Sequence, residues 1–317
     1  MTQVRPDVGI YGLGRAVPKR ILTNQDLEAM VDTSDEWITT RTGIKQRCIA
    51  DPEIAASDLG WEAAVQALQA AEVAPDELDL IIVATTTPDM AFPSTACLIQ
   101  ERLKAKRAAA FDLAAACSGF VYGLEIGRSM VKAGYQKVLV IGVDLLSRLL
   151  DYTDRSTCVL FGDGAGAAVL GPTSAGYGIL ASEIGADGSG AKMLHVDEYV
   201  KMSGREVFKF AVKVIVDSTK RVAKQAAIDI SDISWFVPHQ ANIRIINAAA
   251  ERLHIDSERI FVNVDRYGNT SAASIPIALT ELAESGRLRN GDLVLLVGFG
   301  AGLTWGSTIL RWGGLIT

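Results

Sequence analysis

Short apolar segments alternate with longer amphipathic ones along almost the whole chain, and this alternation restricts the fold more than any other feature. The run at residues 80–84 contains only Leu, Ile, Val and Ala, as is typical of a strand buried on both faces. A segment with helical periodicity precedes it at residues 57–72. Further helices are predicted at residues 94–103 and from Cys117, with strands at residues 109–113 and 138–142. This order predicts an α/β fold with a largely parallel sheet covered by helices.

The second part of the chain repeats the theme. Its predicted elements are helices at residues 207–227, 241–252 and 269–282 and strands at residues 235–237, 261–264, 293–297 and 304–311. The helix near Cys117 would correspond to the one near Asn269. We therefore predict two duplicated halves, residues 1–173 and 174–317, whose strand ends face a shared cleft. The pattern alone also suits an α/β protein without a duplication.

Length and charge narrow the class of protein. A chain of 317 residues exceeds a typical single domain, which agrees with two similar halves. The formal net charge of −6 argues against a nucleic-acid partner, because phosphate recognition needs a basic face. We find no apolar run that suits a signal peptide or a membrane span, so we expect a cytoplasmic protein without a membrane partner.

The chain has four cysteines without a short paired spacing, which predicts neither a metal site nor a disulfide framework. Cys117 is the most suggestive of them, since it lies among small residues between a predicted strand and a predicted helix. A thiol at a helix N-terminus feels the positive end of the helix dipole, which would lower its pKa and favour a nucleophile. A buried core cysteine explains the isolated motif equally well.

His239 and Asn269 follow predicted strands on the same side as Cys117. His239 is one of only three histidines, and a histidine at a strand end that faces a cleft suits acid–base or hydrogen-bonding chemistry. Asn269 could equally be a simple turn or helix cap.

Two glycine-rich stretches need a decision. Residues 162–167 match a loose dinucleotide fingerprint, but they run into a predicted strand where a helix would be required, so we reject a nucleotide site there. Residues 298–302 lie between two predicted strands. Their backbone amides could stabilise an oxyanion, or the glycines could simply form a tight connection.

Seven stretches taken together resemble the β-ketoacyl-acyl carrier protein synthase III family, and the resemblance extends almost from end to end. Each stretch alone is weak, but their occurrence in this order makes chance an implausible explanation. The stretches are residues 32–38 (DTSDEWI), 41–44 (RTGI), 116–120 (ACSGF), 161–166 (FGDGAG), 238–242 (PHQAN), 267–271 (YGNTS) and 300–306 (GAGLTWG).

The resemblance implies a thiolase-like, five-layered αβαβα fold, usually in a homodimer. It implies a catalytic triad of Cys117, His239 and Asn269 that uses acyl-coenzyme A and malonyl-acyl carrier protein as substrates, without a cofactor. The backbone N–H groups of Cys117 and of the loop at Ala301 and Gly302 would form the oxyanion hole.

The resemblance also implies binding roles for residues that we would otherwise assign to core or surface. The residues implied to bind coenzyme A are Trp37, Arg41, Arg155 and Asn242. The residues implied to form a basic entrance for the carrier protein are Lys209, Arg244 and Arg252. Phe92 would reach across the dimer to shape the partner's acyl pocket. Two positions depart from the family pattern: Ala301 replaces a frequent glycine, and Arg205 replaces an asparagine that contacts pantetheine.

Three alternatives remain at this point. A related acyltransferase or polyketide starter enzyme could use the same triad with another acceptor. A non-catalytic partner with the same fold is a second alternative, against which the intact triad argues. A cysteine hydrolase is the third, and it differs in that water captures the acyl-enzyme.

Overall fold

The computed structural model describes residues 7–315. Within this range the longer segments form thirteen strands and nine α-helices. The strands are β1 (Asp7–Ala16), β2 (Arg20–Thr23), β3 (Gln46–Ile49), β4 (Leu80–Ala84), β5 (Ala109–Leu113), β6 (Val138–Leu145), β7 (Asp163–Thr173), β8 (Gly178–Ala186), β9 (Leu194–Val196), β10 (Val200–Met202), β11 (Trp235–Pro238), β12 (Leu293–Gly300) and β13 (Thr304–Arg311). The helices are α1 (Asn24–Glu28), α2 (Asp35–Thr42), α3 (Ala56–Ala71), α4 (Thr95–Leu103), α5 (Gly119–Lys132), α6 (Gly204–Ala226), α7 (Ile243–Leu253), α8 (Val264–Tyr267) and α9 (Ser274–Glu284).

Two mixed sheets form the frame of the molecule, and they follow the same plan. The first has the strand order β1-β7-β6-β4-β5, in which β6, β4 and β5 are parallel and β7 and β1 run antiparallel to their neighbours. The second has the order β8-β13-β12-β11, with β12 and β11 parallel and the other pairs antiparallel. A parallel bridge between Phe236 and Ile260 stands where β5 pairs with β4 in the first sheet. This correspondence confirms the predicted duplication.

The side chains of the central strands divide between two helix layers. Ile82 of β4 packs in a buried cluster with Phe120 of α5 and Leu279 of α9, and the same cluster includes Leu296 of β12. Its neighbours along β4 point to the opposite face, against α3 and α4. On the outer face of the second sheet, α6 and α7 complete the stack. The layers are therefore helices, sheet, central helices, sheet and helices, which is the predicted αβαβα architecture.

Most predicted elements are present, but some differ. The strand predicted at residues 261–264 is wrong. After Ile260 the buried Asn263 donates its backbone N–H to Gln240 Oε1 (3.0 Å) and its amide to Glu281 (2.8 Å), and the chain turns into α8. The helix predicted from Asn269 begins with a 3-10 turn at Ser271–Ala273. The prediction missed β1 and β8. The proposed division at residue 173 falls between β7 and β8 and stays a prediction.

Between residues 7 and 315, none of the helices is long and apolar enough to span a membrane. The same part of the chain contains no cluster of three or more His, Cys, Asp or Glu side chains that could hold a metal ion.

Candidate active site

Each half contains a sharp elbow, where a 3-10 turn enters one of the two central helices. Cys117 lies in the turn Ala116–Ser118 that leads into α5, and the turn Ser271–Ala273 leads into α9 in the same way. The first residue of each turn has a positive φ, 45° at Ala116 and 50° at Ser271. Residues other than glycine rarely adopt this conformation, and it is frequent at functional sites. The two elbows contact each other, so their residues lie where the two halves meet.

Cys117 lies at a cavity of about 700 Å³ that His239 and Asn269 also line. Cys117 is more than 120 positions away from His239 and Asn269 in the sequence. The three residues predicted to form a triad nevertheless meet at one site. A cavity of this volume is in the range that small-molecule sites occupy.

Burial is the main influence on the acidity of the Cys117 thiol. Cys117 is only 7% exposed, and burial raises the pKa of its thiol to about 12. The nearby carboxylate of Asp144 also raises this pKa, while a hydrogen bond from Ser271 lowers it. The expectation that the helix N-terminus would lower the pKa of Cys117 is thus not met in the free protein, because desolvation of the thiolate outweighs it.

His239 follows β11 directly and is buried, with 1% of its surface exposed. Its Nδ1 lies 2.6 Å from the Ser274 hydroxyl, and its ring packs edge-on against Phe299. Burial lowers the pKa of His239 to about 3, so the imidazole is neutral at neutral pH. It is therefore suited to donate or accept a hydrogen bond rather than to provide a positive charge.

Backbone and side-chain contacts hold Asn269 in place. Its N–H donates to the Leu160 carbonyl (2.9 Å), and its own carbonyl accepts from Gly162 N–H (3.0 Å). Its side-chain Oδ1 accepts the backbone N–H of Ser271 (2.9 Å). Since a backbone N–H can only donate, this contact assigns the side-chain oxygen and leaves the NH₂ group as the free end of the amide. The glycine-rich stretch at residues 162–167 thus contacts the candidate site through Gly162, and it continues into strand β7 rather than into a helix.

Ala301 and Gly302, predicted to form the oxyanion loop, lie in the turn between β12 and β13. The end of β12 packs against the elbow so closely that a Cβ on Gly300 would lie 2.7 Å from the backbone nitrogen of Cys117. The hydroxyl of Thr304 contacts the Ala301 carbonyl at 2.9 Å and ties the turn together. The loop is thus next to the nucleophile, as the prediction requires.

A second, smaller cavity of about 90 Å³ also reaches Cys117. Its wall is mainly apolar and includes Leu146, Phe161, Leu194, Val196 and Val200. Because of its size and lining, it suits a short acyl chain attached to the sulfur.

Aromatic and cationic side chains meet at the mouth of the larger cavity. The guanidinium carbons of Arg41 and Arg155 lie 5.0 and 5.2 Å from the ring centroid of Trp37. Asn242 donates to the Arg41 carbonyl (3.1 Å) and caps the N-terminus of α7 through Arg244 N–H (2.8 Å). Trp37, Arg41 and Asn242 line the cavity, while Arg155 stacks on Trp37 from outside the lining.

The mouth has a strongly positive character. The cationic residues in its wall are Arg41, Arg205, Lys209 and Arg244, and none of the described wall residues is acidic. Arg252 differs from them, since it lies in the last turn of α7 and does not line the cavity. Phe92 lies elsewhere, with 85% of its surface exposed.

Sequence reasoning missed several polar residues that surround the triad. They are Asp144, Ser271, Ser274 and Thr304. Asp144 is fully buried and accepts from the N–H groups of Thr86 (2.7 Å) and Ala272 (3.2 Å), so it joins the segment after β4 to the second elbow. The available signal was weak, because serine and threonine after a strand usually indicate only a turn or a cap.

Two duplicated α/β halves that bring a buried cysteine, a histidine and an asparagine to one cavity define a condensing enzyme of the thiolase fold. Comparison with known proteins identifies the family. A family model described as 3-oxoacyl-[acyl-carrier-protein (ACP)] synthase III matches residues 111–188, and the model of its C-terminal part matches residues 223–312. The chain belongs to this β-ketoacyl-acyl carrier protein synthase III family, and it is an acyl-transferring enzyme that initiates fatty acid synthesis.

Full-length relatives agree with this assignment. The β-ketoacyl-[acyl-carrier-protein] synthase III 1 of Bacillus anthracis is 54% identical over 308 residues, which are 97% of this chain and 99% of that protein. The corresponding synthase III of Geobacillus kaustophilus is 55% identical over 306 residues, 96% of this chain and 99% of that one. The crystal structure of the Aquifex aeolicus VF5 synthase III matches with a TM-score of 0.94 at 52% identity, covering 96% of this chain and 100% of that one.

Proposed function

We propose that Cys117, His239 and Asn269 carry out a decarboxylative Claisen condensation between an acyl-coenzyme A primer, acetyl-coenzyme A in the first instance, and malonyl-acyl carrier protein. The observation that carries this proposal is that all three residues line one cavity whose mouth is cationic. The chemistry uses coenzyme A thioesters as substrates and needs no cofactor.

In the first half-reaction, the sulfur of Cys117 attacks the thioester carbonyl of the primer. The resulting oxyanion accepts hydrogen bonds from the N–H groups of Cys117 and of the Ala301–Gly302 loop. The tetrahedral intermediate collapses to acyl-Cys117, and coenzyme A leaves as its thiol with the proton that the cysteine has lost. The smaller cavity receives the acyl chain.

In the second half-reaction, His239 and Asn269 donate hydrogen bonds to the thioester carbonyl of the malonyl group. Loss of carbon dioxide leaves the electron pair on the α-carbon as an enolate, whose negative oxygen these two neutral donors stabilise. The α-carbon attacks acyl-Cys117, a carbon–carbon bond forms and the carbon–sulfur bond to Cys117 breaks. The β-ketoacyl-acyl carrier protein is released, and the departing Cys117 thiolate takes up a proton from solvent.

The residues at the mouth of the larger cavity have proposed roles in substrate binding. The Trp37–Arg155 stack would open to hold the adenine, Arg41 would contact phosphate and Asn242 the pantetheine arm. Lys209 and Arg244 would attract the acidic carrier protein, with Arg252 extending this patch along α7. Arg205 adds a further cation at a position where a neutral pantetheine contact was expected.

We also propose a cytoplasmic homodimer. Phe92 is a large apolar side chain that is 85% exposed, which suits a residue covered by a partner subunit. In the dimer it would complete the wall of the partner's acyl pocket.

Intact-mass measurement tests the function directly. The protein is mixed with a panel of acyl-coenzyme A thioesters, with Cys117→Ala as the control. An adduct on Cys117 that malonyl-acyl carrier protein discharges into a β-ketoacyl product supports the proposal and identifies the primer. Discharge to a different acceptor would favour a polyketide starter or related acyltransferase, release only by water a hydrolase, and no adduct with any donor a non-catalytic partner.

A further inference from the structure

The Ser274 hydroxyl makes the only side-chain hydrogen bond to the His239 ring within residues 7–315, at 2.6 Å from Nδ1. Ser274 is the first residue of α9 and is 2% exposed. A neutral imidazole exists in two tautomers, and the partner of one ring nitrogen determines which nitrogen keeps the proton. The hydrogen bond to Ser274 therefore determines whether the other ring nitrogen of His239, Nε2, carries a proton.

The other contact of Ser274 indicates the direction of this hydrogen bond. The backbone N–H of Gln240 points at the Ser274 oxygen from 3.4 Å, so this oxygen already faces one donor. In the described part of the chain, no second acceptor lies within hydrogen-bond distance of the Ser274 hydroxyl. If Nδ1 carried the proton, the buried O–H of Ser274 would be left without an acceptor, which is unfavourable. The serine is satisfied when it donates to Nδ1.

A serine orients the side chain of Asn269 as well. The N–H of Ser271 occupies the side-chain oxygen of Asn269 and leaves the amide NH₂ as the free end. A hydroxyl that donates to Nδ1 leaves Nε2–H as the free end of His239. Ser271 and Ser274 thus fix both residues as hydrogen-bond donors at the moment when an oxyanion must be stabilised.

The duplicated half of the chain provides an internal comparison. The position in α5 that corresponds to Ser274 is Gly119, the residue that follows the other 3-10 turn. A Cβ on Gly119 would lie 2.9 Å from the Cβ of Ala84. Ala84 is the last residue of β4, the strand that corresponds to β11. The fold therefore does not require a hydroxyl at this point. The hydroxyl is present only in the half that contains the histidine.

We infer that Ser274 is a positioning residue for the condensation step, whose hydroxyl donates to His239 Nδ1 and holds the imidazole as the Nε2–H tautomer that faces the malonyl thioester. The inference rests on the proposed role of His239, and it concerns the second half-reaction rather than the acylation of Cys117.

Nitrogen NMR of histidine tests the tautomer without reference to activity. The protein is labelled with ¹⁵N-histidine, and the signals of the three histidines are assigned with His239→Ala. We expect the Nδ1 shift of His239 to be that of an unprotonated nitrogen and the Nε2 shift that of a protonated one. In Ser274→Ala the Nε2–H tautomer should lose population, whereas Ser274→Thr, which keeps the hydroxyl, should retain it.

The half-reactions are measured on the same variants. Ser274→Ala should slow condensation about tenfold, the effect of roughly one lost hydrogen bond, while acylation of Cys117 stays within about twofold. Ser218→Ala is the matched control, since it also removes a 2.6 Å hydroxyl contact between buried side chains, to Ser307, away from the cavity.

Three results would overturn the inference. They are a protonated Nδ1 in the unmodified protein, an unchanged tautomer and condensation rate in Ser274→Ala, and equal loss of both half-reactions in that variant. If the unmodified protein forms no β-ketoacyl product, the proposed function is wrong. The tautomer of His239 still shows in that case whether Ser274 donates to Nδ1. The spectrum of the unmodified protein decides the direction of the hydrogen bond even if Ser274→Ala does not fold.

Discussion

At the scale of single residues, the site combines a nucleophile and two donors that are all neutral in the free protein. Burial raises the pKa of Cys117 to about 12 and lowers that of His239 to about 3. Neither residue therefore titrates near neutral pH before substrate binds. In the proposed mechanism these groups act through their position and their hydrogen bonds, and charge develops on the substrate.

This arrangement predicts the pH dependence of cysteine alkylation. A thiolate is the reactive form of cysteine, and its fraction rises about tenfold per pH unit below the pKa. With a pKa raised to about 12, the rate of Cys117 modification by iodoacetamide should still increase between pH 7 and pH 10. Peptide mass spectrometry separates Cys117 from the exposed Cys97. A plateau below pH 8 would show that the helix N-terminus outweighs burial.

A second residue-scale prediction separates the two half-reactions. His239→Ala removes one of the two donors to the enolate oxygen but leaves the oxyanion loop of the first step intact. Condensation should fall by about 10²–10³-fold, the usual effect of losing such a donor, and acylation of Cys117 should change little. Rapid-quench measurement of each step checks this. Equal loss in both steps would contradict the proposed division of roles.

The resemblance predicted that Cys117, His239 and Asn269 would meet, and they line one cavity, but the sequence did not predict the residues around them. Cys117 and His239 follow β5 and β11, and strand ends in such sheets meet at one edge, whereas Asn269 follows α8 because the strand predicted before it is absent. Ser274 lies 35 residues from His239, and only the packing of α9 against β11 brings their side chains together. The acidity of Cys117 also needed the structure, because its burial depends on both halves.

At the scale of secondary-structure elements, the missed strand β1 shows where pattern reasoning fails. Gly12 and Gly14 interrupt its apolar pattern, which makes the segment resemble a loop. A side chain at either position would overlap backbone atoms of α3, so the glycines allow that helix to lie directly on the strand. The two glycines weaken the strand pattern in the sequence, and the packing of α3 on β1 requires them.

Gly142 provides a test of how strand β6 supports the site. A Cβ at this position would overlap the carbonyl oxygen of Ala272 in the second elbow. Gly142→Ala should therefore destabilise the fold by about 1–3 kcal/mol through overpacking and reduce condensation as Asn269 shifts. Gly188→Ala is the matched control, because a Cβ there meets no atom within 4 Å. Denaturant unfolding and steady-state assays measure both effects, and equal behaviour of the two variants would contradict the packing argument.

At the scale of the whole molecule, a protein with a net charge of −6 places cations around its cavity. The separation of charge suits an acidic partner, since the mouth attracts it and the remaining surface does not. Composition alone argued only against nucleic acid. The resemblance predicted a basic entrance at Lys209, Arg244 and Arg252. The fold places the first two in the cavity wall and adds Arg41 of α2 and Arg205 of α6.

Two lysines of α6 test this charge separation. Lys209 lines the mouth, whereas Lys224 lies about 22 Å further along the same helix. Lys209→Glu should raise KM for malonyl-acyl carrier protein several-fold, with the effect decreasing at high salt, while KM for the coenzyme A primer changes less. Lys224→Glu should have little effect on either. Similar losses in both variants would indicate a general charge effect rather than a docking site.

The two elbows have a consequence for how such a chain can evolve. The first contains the nucleophile Cys117, and the second has Ala272 at the corresponding position. His239 and Asn269 lie in the second half, so neither half contains all three groups of the proposed triad. A half separated from its partner would lack part of this set, so selection for the proposed reaction can act only on the two halves together.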